Sequence, residues 1–89
     1  MSNKTKKQEI PKWFEGMIYE TGEVVTNNFS GQRYELNGIE LSMYDFIMGT
    51  TYIFEVAPKT VTQRIVGDYQ KALTWFRRNN PEAYMVLLD

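Results

Sequence analysis

Ile39, Leu41, Met43, Tyr44, Phe46, Ile47, Met48, Tyr52, Ile53, Phe54 and Val56 place apolar side chains on nearly every side of a helical wheel. A water-facing helix keeps its apolar residues to one stripe, so a helix patterned this way is buried or shared. Its start is well marked. Asn37 is positioned as N-cap, Glu40 can reach back to the Asn37 backbone N–H as in a capping box, and Leu36 and Leu41 fall at the two staple positions. Gly49 opens an alternative, in which the helix stops there and residues 50–56, rich in β-branched and aromatic side chains, form a strand. One continuous helix to Val56 is the preferred reading, and Pro58 ends either element.

The flanking segments supply the rest of the fold. Glu23-Val24-Val25-Thr26 and Gln32-Arg33-Tyr34-Glu35-Leu36 are β-prone runs around Asn27-Asn28-Phe29-Ser30-Gly31, whose Asn and Gly suit a turn, so a β-hairpin is expected. Thr60 with Gln63 forms a second capping-box candidate. Beyond it Val61, Ile65, Tyr69, Leu73 and Phe76 recur at helical spacing with Ala72 beneath. Asn80-Pro81-Glu82 then restarts a short helix, with Asn as cap, Pro at its first position and a carboxylate in its first turn. Its apolar ending, Tyr84 to Leu88, should dock on the core. The expected fold is a small single α+β domain over residues 11–89: an N-terminal β-hairpin packed on two main helices plus a short C-terminal helix. Residues 1–10 read as a flexible polar tail, and Trp13-Phe14 with Met17-Ile18-Tyr19 as an extended segment anchored by its aromatics.

Composition removes several classes of chemistry. The 89 residues include no cysteine and no histidine, so a Ser-His or Cys-His pair, a sulfur ligand and a disulfide framework are excluded. Neither GxGxxG nor GxxxxGK[ST] occurs, and EF-hand spacing is missing. No enzyme activity, metal or organic cofactor is expected. The cysteine-free chain fits a reducing cytoplasm, and the polar start, with Lys4, Lys6 and Lys7 but no apolar run behind them, reads as neither signal peptide nor membrane span. A net charge of −1 gives no long-range field toward polyanions, so any basic site must be local.

Three groups of residues are candidate sites. Arg64, Lys71 and Arg78, spaced by seven, lie along one ridge of the second helix with Trp75 beside them, a minimal nucleic-acid surface. The ordinary reading of that ridge is a solvated face partly neutralised by Asp68. Trp13, Phe14, Phe29 and Tyr34, interleaved with Lys12 and Arg33, could anchor a partner or instead knit the hairpin to the helices. Among the carboxylates Asp45 stands out, because it interrupts an apolar helix and would need a partner if buried.

"GEVVTNNFSG", "YELNGIELSMYDFIMG" and "TWFRRNNPEAYMVLLD" resemble segments of small uncharacterised proteins of tailed phages that infect marine bacteria, including cyanophage-like ones. The likeness covers about residues 15–89. A proline often follows the Thr-Asn of the hairpin in that pattern, where this chain has Asn28. The resemblance implies a phage accessory protein acting in the cytoplasm of a bacterial host and supplies no site residues. The leading expectation is a non-enzymatic protein-interaction module, with weak nucleic-acid binding as the alternative. Self-association as a two-fold homodimer is expected through residues 39–56, with Phe46 and Phe54 on the shared face.

Overall fold

The computed structural model describes residues 8–89, and the expected tail therefore falls mostly outside the described residues. Gln8, at its end, is held by two bonds: its Nε2 donates to Glu40 Oε2 at 2.9 Å and its Oε1 accepts from Asn37 Nδ2 at 2.9 Å. The architecture is the expected α+β arrangement of a hairpin, two main helices and a short third one. Strands β1 (Glu23–Thr26) and β2 (Arg33–Leu36) pair antiparallel, with Val25 opposite Tyr34 and Glu23 opposite Leu36. Strand alternation turns Val25, Tyr34 and Leu36 toward the core and leaves Val24, Thr26, Arg33 and Glu35 in water. The turn is braced internally: Asn27 Oδ1 accepts from the Phe29 and Ser30 backbone N–H groups, and Gly31 takes the positive φ of +80°. Asn27 Nδ2 then ties the tip to Val86 O at 2.9 Å.

Helix α1 (Gly38–Val56) is continuous through Gly49, which settles the helix-or-strand choice for residues 50–56. Its capping box is complete, Asn37 Oδ1 accepting from Glu40 N at 2.8 Å and Glu40 Oε1 from Asn37 N at 3.0 Å. After a 3-10 turn (Pro58–Thr60), helix α2 spans Gln63–Asn79 and helix α3 Pro81–Leu87. The expected Thr60–Gln63 box is not formed. Thr62 caps α2 through Ile65 N at 3.2 Å, because Pro58 first winds Thr60 into the short turn, where its hydroxyl donates to Ala57 O at 2.8 Å. Asn80 caps α3 as expected, accepting from Ala83 N at 3.1 Å with Pro81 at the first position.

The core lies where α1, α2, α3 and β2 meet. Leu36, Met43, Ile47, Phe76, Ala72 and Ala83 are buried there. Ahead of the hairpin, residues 8–20 run as a strap across α1. Phe14 is buried beneath it, and the Tyr19 backbone N–H donates to Ser42 Oγ at 2.8 Å. The strap passes so close to the helix start that a Cβ on Gly38 would lie 2.5 Å from Tyr19 O.

Candidate functional site

The fold disperses the four aromatics of the candidate surface and the two expected on a shared dimer face. Trp13, Phe14 and Phe46 pack edge-to-face on one another, with ring centroids 6.1, 6.4 and 5.6 Å apart. They seal the strap to α1 and are structural. Tyr34 lies against α3, its hydroxyl donating to Glu82 Oε1 at 2.9 Å and reaching Asn80 Oδ1 at 3.4 Å. Burial first, and then the Glu82 carboxylate, push that phenol above its ordinary value of 10.0. Phe54 packs edge-on to Tyr69 of α2 at 5.0 Å. Phe29 alone is wholly exposed, at the hairpin tip. Phe46 and Phe54 thus turn inward, away from the surface on which they were expected.

A different set of residues makes up one further row of α1. Gly38, Ser42, Asp45, Gly49, Tyr52 and Val56 recur at four, three, four, three and four residues and lie along one row of the helix. The strap covers the first half of this row, at Gly38 and Ser42, and Tyr19 brings its hydroxyl beside Asp45. Asp45 is exposed, so it needs no buried partner. The second half is bare: Tyr52 is 63% and Val56 57% exposed, Met48 and Ile53 flank them, and nothing stands within 4 Å of a Cβ placed on Gly49. These residues were legible only as part of an apolar helix. The four-three spacing picks out their row, whereas the bulk of Phe46 and Phe54 directs attention to side chains that are packed against Phe14 and Tyr69.

On α2 the sequence ridge divides. Arg64 is drawn to Glu15, with its Nη2 2.6 Å from Oε2, and lies 3.9 Å from Asp68. Lys71 and Arg78 remain together on an open groove of about 620 Å³, lined by Gly67, Gln70, Thr74, Trp75 and Asn79 besides. The Lys71 ammonium also stands 5.9 Å from the Trp13 ring centroid, a cation–π distance. Trp75 is half-buried, its ring packed edge-on to Phe76 at 6.3 Å. Arg77 points elsewhere, toward the Tyr84 ring of α3 at 5.9 Å.

The remaining carboxylates are structural where they are buried. Glu40 is enclosed and accepts from Asn37, Gln8 and Asn80. Among the described residues no buried side-chain nitrogen or oxygen lacks a hydrogen-bond partner, and no group of three or more acidic side chains is placed to hold a metal ion. No helix among them is long and apolar enough to cross a membrane. No protein-family model matches the chain, and neither does any curated protein or solved structure.

Proposed function

We propose that this chain is a non-enzymatic interaction protein that pairs with a second copy of itself through the bare half of the α1 row. The observation that carries this reading is the contrast within one row. Gly38 and Ser42 are covered by the chain's own strap, while Gly49, Tyr52 and Val56 continue the same spacing uncovered. Apolar surface left in water costs about 25 cal/mol per Å², and a four-three row is the geometry by which two helices bury it together. Gly49 lets a second backbone approach as closely as the strap does at Gly38. A two-fold axis presents the row to its own copy, so no other partner chemistry is required.

The bare stretch from Met48 to Val56 is only about 13 Å long, which suits a weak, reversible dimer rather than an obligate one. The likeness of three segments to tailed-phage proteins supports an accessory role in an infected bacterium. Light scattering from low to high micromolar concentration tests the pairing. The native mass should rise toward twice the monomer, and Tyr52→Glu with Val56→Glu should hold it at the monomer while leaving the circular dichroism spectrum unchanged. A monomer at every concentration refutes the dimer. Phe46 and Phe54 are unsuitable for this test, because glutamate at either position would enter packed aromatic pairs.

A further inference from the structure

We propose that the outer face of α2 binds a single strand of nucleic acid, with Trp75 stacking on a base and Lys71 and Arg78 taking the flanking phosphates. The argument is one of charge and ring complementarity. The groove carries two cations and no carboxylate, although the chain as a whole is at −1. Lys71 stands four residues before Trp75 and Arg78 three residues after it, so the cations bracket the indole along the helix. Their separation is about 10 Å of helix axis, the length of about three stacked nucleotides. Gln70 and Thr74 add neutral hydrogen-bonding groups on the same face. One Asn79 amide N–H donates to Trp75 O at 2.9 Å, which leaves the second N–H to donate to a base edge and the carbonyl oxygen to accept from one.

Along this face of the helix the order is ammonium, indole, guanidinium, from Lys71 through Trp75 to Arg78. Aromatics alternating with cations are how sequence-tolerant single-strand sites are built, since every base has a π-face and every linkage a charge.

A duplex keeps its base faces stacked away from a half-buried indole, and an acidic protein offers charge without a series of ring planes. The single strand is the occupant that uses both. This site is independent of the α1 row, and its residues take no part in the proposed dimer.

The test is a titration of the full chain with a short fluorescein-labelled oligo(dT), read by anisotropy and by quenching of tryptophan emission. Binding should appear at low salt and weaken steeply as salt rises. The Lys71→Gln/Arg78→Gln double variant should lose about tenfold or more in affinity and reduce the salt slope by about 1.4, the release expected for two single-strand phosphate contacts. Trp75→Phe should remove most of the quenching. Arg64→Gln should bind as the native chain does, because Arg64 is engaged by Glu15 and Asp68. Both charge positions are exposed, so these variants should fold. Absence of binding at low salt, or a double variant that binds like the native chain, overturns the proposal. So does a duplex bound as tightly as the single strand, or displacement by polyglutamate as effective as displacement by unlabelled oligo(dT).

Discussion

Asn80 and Glu40 are joined across the fold by a 3.0 Å hydrogen bond from Asn80 Nδ2 to Glu40 Oε2. The same carboxylate closes the α1 capping box and holds Gln8, while the Asn80 oxygen caps α3. One side-chain pair therefore fixes the start of α1, the junction of α2 with α3, and the beginning of the strap.

Removing that carboxylate should be costly for a domain of this size. Glu40→Ala leaves the Asn37 N–H and the Gln8 and Asn80 amides without their acceptor, and should destabilise the fold by about 2–4 kcal/mol. A urea midpoint measurement reads this directly. A loss under about 0.5 kcal/mol would mean that the junction is held by apolar packing alone.

Two glycines of one helix should respond oppositely to the same change. Gly38→Ala drives a Cβ against the Tyr19 carbonyl and the Glu20 backbone, and should cost about 1–3 kcal/mol as the strap is pushed away. Gly49→Ala meets only open space and should stabilise the monomer by about 0.5–1 kcal/mol, through helix propensity and a less flexible unfolded chain. Both values come from urea unfolding at concentrations too low for association. Equal effects at the two positions would remove the distinction between covered and bare halves of the row.

Alkaline pH should weaken the attachment of the hairpin to α3. The Tyr34 phenol is raised above 10.0 by burial and by Glu82, so the folded state favours its protonated form. Its contribution is complete below about pH 10 and is lost as pH rises through the higher folded value, where ionisation would set two negative oxygens side by side. Burial raises Tyr44 as well, so part of the alkaline loss belongs to α1. Stability measured at about pH 8 and about pH 11 should therefore fall less for Tyr34→Phe than for the native chain. An equal fall in both would show that Tyr34 is not the group being titrated.

Local chemistry was the legible part of this chain. Asn37 with Glu40, the Asn27 turn and Asn80-Pro81 each act through neighbours within a few residues, so spacing alone revealed the hairpin and two of the three helix starts. The start of α2 was misplaced because two threonines two residues apart both suit a cap, and the turn made by Pro58 decides between them. The extended course of the strap was legible from its aromatics, but its partner on α1 was not. Trp13 and Phe14 meet Phe46 across more than thirty residues, a relationship that no periodicity carries. The candidate sites inherited that blindness: the strap absorbs three of the six proposed surface aromatics, engages Arg64 through Glu15, and leaves the second half of the α1 row open.

The complete burial of Ala72 and Ala83 limits how this fold can drift over evolutionary time. Each is wholly enclosed in the same core cluster as Phe76, so a longer side chain at either position would have to displace packed neighbours. Descendants of this chain should therefore vary freely at Phe29 and Val24 while holding small residues at 72 and 83. Distant kin should be easier to find by those two constraints, read together with the Asn37–Glu40 spacing, than by the thirteen aromatics that dominate the composition.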